Sequence, residues 1–161
     1  MQRACIAIVD AARARIYSSQ DVDDSQQLVE ELDLVSAGRR AKDSEMFTES
    51  SPGSRRSFGV RGGVDDHRDA HRDEMDSKFA THVSREVERV AKERGLGHVI
   101  FVTPARMLGV VRPHLEVMRK HGLVVDELER DLSQLSAPQL QDHLAQLDII
   151  EPRRRAVQPR R

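Results

Sequence analysis

The sequence contains a single cysteine, Cys5, and this scarcity excludes one class of small protein at once. One thiol cannot form a disulfide within the chain, so the fold cannot be a disulfide-stapled extracellular scaffold. Cys5 also lies within the apolar run Ala4–Val9, which favours a buried thiol over a reactive one. Both observations fit a protein of a reducing compartment.

Long hydrophobic runs are lacking as well. No apolar stretch approaches the roughly 20 residues that a membrane-spanning helix needs. The apolar run near the N-terminus covers only residues 4–9, which is too short for the core of a signal peptide. We therefore expect no membrane insertion and a protein that stays in the cytoplasm.

The chain also has little net charge, −1 at pH 7. Its 161 residues carry 26 Lys and Arg against 27 Asp and Glu, so bulk charge indicates no nucleic-acid partner. The distribution is uneven, because residues 151–161 hold five Arg and one Glu, a net charge of +4 that leaves −5 on the other 150 residues. We interpret residues 1–150 as one domain and residues 151–161 as a basic, disordered tail. The alternative for the tail is contact with an acidic partner such as RNA.

The apolar residues that are present fall into patterns typical of alternating strands and helices. Continuous apolar runs at 4–9, 98–103 and 123–125 predict buried strands. Residues 15–17 can resume an extended path after the first run, and the mixed apolar and acidic stretch 28–35 predicts a more exposed strand. The predicted sheet is therefore partly buried between helices.

Three helices are predicted between and after these strands. Pro104 opens the second helix, in which Pro113 is expected to introduce a kink or a restart. Ser136 and Gln139 form a capping box at the start of the third helix. The alternation of strands and helices predicts an α/β fold with a partly parallel sheet. The first helix is the longest, with apolar residues three and four positions apart, namely Met75, Phe79, Val83, Val87 and Val90.

Four segments of the chain resemble the bacterial family of host attachment proteins. The segments occur in the order and spacing of that family, and together they spread over roughly residues 5–147. The resemblance implies a single α/β domain with an RNase H-like mixed sheet flanked by helices, similar to the middle domain of archaeal and eukaryotic peptide-chain release factors and of Pelota. The four segments are Val9–Ile16 (VDAARARI), Pro52–Phe58 (PGSRRSF), Val102–Gly109 (VTPARMLG) and Glu129–Ser136 (ERDLSQLS).

The same resemblance bears on catalysis. In release factors a Gly-Gly-Gln loop precedes the long helix and reaches the peptidyl-transferase centre. Here Gly62 and Gly63 hold the corresponding place, but Val64 stands where the glutamine would be. A valine side chain cannot orient a water molecule through an amide, so the resemblance implies no peptidyl-tRNA hydrolase activity.

The irregular segment 36–64 contains the best candidate for nucleic-acid contact. Residues 53–63 contain no acid, and their glycine amides and arginines can approach phosphates. A phenylalanine there can stack on a base. The alternative is a mobile, solvated loop, because Asp65 and Asp66 follow directly and repel phosphate. The candidate residues are Arg55, Arg56, Phe58, Arg61, Gly62 and Gly63.

A metal site has a weaker candidate in the two histidines that follow this segment. His67 and His71 are four residues apart, a spacing that metal ligands use on one face of a helix. No third ligand is fixed by the sequence. A solvated helix start is the simpler interpretation, so we expect no metal and no other cofactor.

Asp10 is the weak candidate for catalysis. It closes the first predicted strand, where nucleases of RNase H-like fold place a carboxylate that binds a divalent cation. Asp126, after the third buried run, is a potential partner. The alternative for Asp10 is a turn cap or an ion pair with Arg13 or Arg15, because fold analogy alone is a weak basis for function.

Three hypotheses for function follow. The first is a non-enzymatic module that contacts RNA or the translation machinery, with tRNA, rRNA or the ribosome as partner. The second is a metal-dependent nuclease that uses Asp10. The third is a cytoplasmic component of an attachment or adhesion pathway that binds other proteins. The sequence does not determine the oligomeric state.

Overall fold

A computed structural model describes residues 3–38 and 64–154 of the chain. These residues form one five-stranded sheet, in the order β3-β2-β1-β4-β5, and three helices of ten residues or more. The strands are β1 (Cys5–Val9), β2 (Arg13–Val22), β3 (Ser25–Val35), β4 (His98–Thr103) and β5 (Val124–Glu129). The helices are α1 (Val64–Glu93), α2 (Ala105–Lys120) and α3 (Ala137–Gln146).

The centre of the sheet is formed by β1 and β4, which are its most apolar strands. β1 pairs with β2 in antiparallel fashion and with β4 in parallel fashion, and β4 pairs with β5 in parallel fashion. All five residues of β1 are buried, because helices cover both faces of the sheet. The predicted α/β class and the partly parallel sheet are confirmed.

The strands β2 and β3 form a long hairpin that the sequence pattern indicates only in part. Its two-residue turn is Asp23-Asp24, and both residues have positive φ, +48° and +58°, as a tight hairpin turn requires. The half of the hairpin near this turn is rich in Ser, Gln and Asp, so it carries no apolar alternation. Backbone pairing, rather than an apolar pattern, defines the strands there.

The core has two layers, one on each face of the sheet. α1 and α2 pack on one face, where their apolar stripes meet residues such as Ala7, Phe101 and Ile16. α3 and the segments that flank it cover the other face, where they meet Ile6, Ile100 and other apolar side chains of the sheet. Alternate residues of β1 and β4 therefore contribute to opposite layers, as the period of two in a strand requires.

The apolar stripe predicted for the longest helix is confirmed in α1, where Phe79, Val83, Val87 and Val90 are buried. After the helix, Gly95 has φ +64° in the left-handed cap conformation. The capping box of α3 is also confirmed. The Ser136 amide donates to Gln139 Oε1 at 3.0 Å, and the Gln139 amide donates to Ser136 Oγ at 3.4 Å.

Of the kink or restart expected at Pro113, the restart is wrong. α2 runs through Pro113 to Lys120, although proline removes the hydrogen bond to the carbonyl of Gly109. Val111 and Leu115, on either side of the proline, are fully buried against the sheet. The burial of these side chains stabilises the continuous helix, which loses a single backbone hydrogen bond at the proline.

A glutamine of α3 completes the outer edge of β3. Gln141 is buried, its Nε2 donates to the carbonyl of Gln26 at 2.6 Å, and its Oε1 accepts from the amide of Leu28 at 3.4 Å. The side-chain amide thus occupies the place of a peptide group from a further strand. Backbone groups at this edge are thereby satisfied without another strand.

A helix crosses a bilayer only if it is both long enough and apolar enough. Within residues 3–38 and 64–154, no helix combines the necessary length with sufficient apolar character.

Candidate functional site

The candidate functional site lies where the parallel strands β1 and β4 end side by side. In open α/β sheets, ligands bind in the crevice outside the carboxyl ends of the strands. A cleft of about 330 Å³ opens at this place, between the ends of the two strands, α1 and the start of α2. Its lining residues are Asp10, Ala11, Ala12, Asp76, Pro104, Arg106 and Met107.

Asp10 is held rigidly by the turn that connects β1 to β2. Its Oδ1 accepts hydrogen bonds from the backbone amides of Ala12 and Arg13, both at 2.7 Å. Asp10 therefore caps the turn through Oδ1, which is one of the two alternatives that the sequence offered. Arg13 and Arg15 do not form ion pairs with Asp10, since they pair with Asp33 and Glu30 of β3.

Asp76 is a carboxylate that the sequence analysis did not single out. It projects from α1 and is 5% exposed, and its Oδ2 accepts no hydrogen bond from the part of the chain that the structure describes. Arg106 Nη2 lies 3.3 Å from that oxygen, within range of an ion pair but without hydrogen-bond geometry. The same nitrogen lies 3.6 Å from Asp73 Oδ1. A buried carboxylate with so little compensation is costly for the fold.

A signal for Asp76 exists in the sequence. It precedes Phe79 by three positions and Ala80 by four, so it lies on the apolar stripe of α1. A carboxylate on the buried face of a helix marks a special site more often than one on the solvent face. The role of Arg106 has no such signal, because α2 brings it to Asp76 only after folding.

The amino end of α2 gives the other side of the cleft a positive potential. The first helical hydrogen bond runs from the Leu108 amide to the Pro104 carbonyl, so the amides of Ala105, Arg106 and Met107 have no partner within the helix. No side chain caps this end, and its first turn contains no acid. The helix dipole and the Arg106 guanidinium therefore both favour an anionic group here.

A further polar group is left without a partner beside the cleft. Thr103 is the last residue of β4 and precedes the lining residue Pro104. Its Oγ1 is buried and forms no hydrogen bond with any residue in 3–38 or 64–154. Strand alternation places its side chain on the face of the sheet that α1 and α2 cover, together with Phe101.

The structure does not bring Asp126 to Asp10. Asp126 pairs in register with Ile100, which pairs with Ile6, so it is level with a residue four positions before Asp10. This offset corresponds to roughly 13 Å along the strands. Asp126 instead forms a hydrogen bond with His98, with 2.7 Å between Oδ2 and Nε2. Asp76 is the carboxylate that shares a cleft with Asp10.

The other predicted site residues lie elsewhere. His67 and His71 are exposed on α1. Within residues 3–38 and 64–154, no group of three or more His, Cys, Asp or Glu side chains is arranged to hold a metal ion. The candidates for nucleic-acid contact lie outside the described residues, and they are Arg55, Arg56, Phe58, Arg61, Gly62 and Gly63.

Cys5 is buried, as the sequence predicts, and it is not a nucleophile. Its Sγ donates a weak hydrogen bond to the carbonyl of Val87 at 3.9 Å. Burial, with a smaller contribution from the negative charge of Glu31, raises the pKa of the thiol from 9.0 to about 12. The thiol is therefore protonated at neutral pH, and a protonated, buried thiol does not react.

Fold and cleft define an α/β protein with an open mixed sheet whose candidate ligand site lies at the carboxyl ends of two parallel strands. The family model described as "Protein required for attachment to host cells" matches residues 5–144. The chain belongs to this family, as the resemblance of the four segments implied. A comparison with curated proteins found no match.

Three solved structures are similar to parts of this fold. An exopolyphosphatase from Cytophaga hutchinsonii is 11% identical, with a TM-score of 0.42 over 80% of this chain and 34% of its own. A Ppx/GppA family member from Aquifex aeolicus is 16% identical, with a TM-score of 0.39 over 80% and 35% of the chains.

The third structure is a type II variant of the Ppx/GppA phosphatase from Aquifex aeolicus, 16% identical, with a TM-score of 0.39 over 80% and 36% of the chains. The present chain thus spans about a third of the length of these proteins. None of the three is a release factor, and the release-factor relationship stays a prediction.

Proposed function

We propose that the protein is a non-enzymatic binding module that contacts RNA, in tRNA, rRNA or the ribosome, through residues 53–63. Arg55, Arg56 and Arg61 would contact phosphates, and Phe58 would stack on a base. We also propose that the fold is related to RNase H-like proteins and to the middle domain of release factors. Because Val64 replaces the glutamine of the release-factor loop, we propose no peptidyl-tRNA hydrolase activity.

The observation that carries the proposal is the place where the chain leaves the described fold. After β3, the amide of Ser36 donates to the carbonyl of Ala12 at 2.9 Å. Gly38 then passes so close to α1 that an added Cβ would lie 2.8 Å from Met75 Cε. Ala12 lines the cleft and Met75 precedes the lining residue Asp76. The last described residues before the segment 39–63 therefore lie beside Ala12 and Met75, close to the cleft where α/β proteins bind ligands.

The charges of the described surface support the same assignment. Eight of its arginines form ion pairs with carboxylates, so a phosphate would have to compete for them. Residues 53–63 contain three arginines and no acid. The paired arginines are Arg13, Arg15, Arg89, Arg94, Arg106, Arg112, Arg119 and Arg153.

Exchange of Arg55, Arg56 and Arg61 for glutamate is expected to weaken tRNA binding at least about tenfold, because three phosphate contacts become repulsive. Fluorescence anisotropy over a series of salt concentrations would measure the affinity. The logarithmic salt dependence of the wild type should also become shallower in the variant, by about 0.7–0.9 for each lost contact.

The matched control exchanges three exposed basic residues of the described surface, Arg85, Lys92 and Lys120, for glutamate, which changes the net charge equally. We expect this control to keep the wild-type affinity within about threefold, since the proposal assigns these three residues no phosphate contact. Equal losses in both variants would show a general charge effect. Unchanged binding in the segment variant would show that residues 53–63 are not the contact.

A metal-dependent nuclease is the second candidate, because Asp10 and Asp76 line the same cleft. Mg²⁺ is often held by only one or two carboxylates together with substrate phosphates and water. Cleavage of RNA or DNA that requires Mg²⁺ or Mn²⁺ and disappears in Asp10→Asn would establish this function. Absence of turnover on single- and double-stranded substrates would remove it.

Two further parts of the proposal concern the cellular setting. The family description names a requirement for attachment to host cells, and we propose that this protein meets it indirectly, through protein partners in the attachment pathway. We place the protein in the cytoplasm, since its single cysteine fits a reducing compartment. Detection of the protein at the cell surface would contradict both statements.

A further inference from the structure

We propose that the cleft at the ends of β1 and β4 binds a small zwitterion that carries an ammonium group and a carboxylate group, of the class of free amino acids. The ammonium group would lie against Asp10 and Asp76, and the carboxylate against Arg106 and the amino end of α2. This site goes beyond RNA contact and does not depend on it.

The first reason is the incomplete pairing of Asp76. The side chain is only 7% exposed, yet among the described residues Oδ2 accepts no hydrogen bond, and its one ion pair there is with the Arg106 guanidinium at 3.3 Å. A buried charged group normally has its hydrogen-bonding capacity filled, because desolvation is otherwise uncompensated. Asp76 lines the cleft, so a donor bound there can supply the hydrogen bond that Oδ2 lacks. An ammonium group offers three such donors.

Asp10 provides a second acceptor that is already fixed in place. Two backbone amides hold its Oδ1 at 2.7 Å, while Oδ2 has no hydrogen-bond partner among the described residues. Since the turn fixes the carboxylate, no side-chain entropy is lost when Oδ2 accepts a hydrogen bond from a ligand.

Donors lie beside these acceptors in the same cleft. The amides at the start of α2 have no helical partner and no capping side chain, and Arg106 and Met107 also line the cleft. Arg106 is half exposed and its ion pairs, at 3.3 Å and 3.6 Å, leave guanidinium donors unused. A carboxylate accepts from such a set of donors in two directions.

Charge balance selects a zwitterion over a phosphorylated ligand. The lining residues carry two carboxylates and one guanidinium, and the helix amino end adds roughly half a positive charge, so their net charge is about −0.5. Asp73, which lies 3.6 Å from Arg106 and is not a lining residue, adds one further negative charge. A phosphate ester would add close to two negative charges, which these carboxylates repel. A zwitterion adds none and satisfies both the acceptors and the donors.

The size and walls of the cleft also fit a compact ligand. About 330 Å³ lies at the lower limit of the range typical of small-molecule sites. Beside the charged residues, the walls are formed by Ala11, Ala12, Pro104 and Met107. This apolar strip accommodates the methylene groups of the ligand.

Calorimetry on the full chain with glycine, β-alanine, 4-aminobutyrate, 5-aminopentanoate and leucine would test the proposal. The series varies the separation of the two charged groups, and we expect at least one member to bind. Butane-1,4-diamine and pentanoate carry only one kind of charge, and each should bind at least about tenfold more weakly than the best zwitterion, because one set of charge-assisted hydrogen bonds is missing.

Two variants test the residues assigned to the ammonium group and to the carboxylate group of the ligand. Asp76→Asn, which keeps the shape of the side chain, and Arg106→Gln should each weaken binding of the best zwitterion about tenfold or more. Arg112→Gln is the matched control, since this exposed arginine of the same helix pairs with Glu127 outside the cleft. It should bind within about twofold of the wild type.

Several results would overturn the proposal. They are absence of binding by every zwitterion, binding of the diamine or pentanoate as tight as that of the zwitterions, and full affinity in the folded Asp76→Asn and Arg106→Gln variants. Circular dichroism would verify that both variants are folded. A response to Mg²⁺ alone, with none to zwitterions, would also overturn it and would favour the nuclease. Loss of tRNA binding in the segment variant, by contrast, leaves this site untouched.

Discussion

Replacement of Phe101 by alanine is expected to lower the free energy of unfolding by about 3–5 kcal/mol. Phe101 is fully buried in β4, and β4 has a neighbour on each side in the sheet. Its ring belongs to the layer formed by α1 and α2, with Val83 and Leu115. Truncation removes the apolar contact area and leaves a cavity that paired strands cannot collapse to fill.

Urea denaturation followed by circular dichroism would measure this loss. The control is Val117→Ala in α2, because Val117 is 45% exposed and lies outside the core. We expect the control to change the free energy of unfolding by no more than about 0.5 kcal/mol. A loss below about 1 kcal/mol for Phe101→Ala would show that α1 and α2 do not pack on β4 as described.

Replacement of Gln141 by alanine is expected to cost about 2–4 kcal/mol and to promote self-association. The side-chain amide satisfies the carbonyl of Gln26 and the amide of Leu28 at the edge of β3, and Nε2 also reaches the carbonyl of Glu151 at 3.3 Å. Each buried backbone group left without a partner costs about 1–3 kcal/mol. Water can enter after truncation and recover part of this cost.

The self-association follows from the exposed strand edge. Free backbone groups on an edge strand pair with the edge of another molecule. Size-exclusion chromatography with light scattering would detect the larger species, and chemical denaturation would give the loss of stability. Gln146→Ala is the control, since Gln146 is exposed at the end of the same helix. If Gln141→Ala proved as stable as this control, the edge-capping role would be contradicted.

Local patterns made several elements of the fold predictable. The capping box at Ser136 and Gln139 involves residues three positions apart, so its hydrogen bonds form as soon as the helix does. The apolar stripe of α1 and the apolar runs of β1 and β4 likewise indicate which residues become buried in the core. These features depend on neighbours within one turn of helix or one strand.

Other elements escaped prediction because distant contacts decide them. β5 extends to Glu129 although Asp126, Glu127 and Glu129 hide its alternation, since an edge strand tolerates charged side chains. α2 continues through Pro113 because the sheet holds both halves of the helix. Neither effect can be seen within a short window of sequence.

The cleft was predictable only at Asp10, which stands directly after a buried strand. Asp126, the partner that the sequence offered, lies roughly 13 Å further back along the sheet, because strand register and not chain order sets the distance. Asp76 and Arg106 are 30 positions apart, and only the packing of α2 beside α1 brings them within 3.3 Å.

By itself the sequence determined the α/β class, the family and the inert thiol at Cys5, because apolar periodicity and short motifs are local properties of a chain. The tertiary structure alone decided the strand order and which residues line the cleft. Both depend on which distant segments exclude water together, and that choice minimises the free energy of the whole domain rather than of any segment in it.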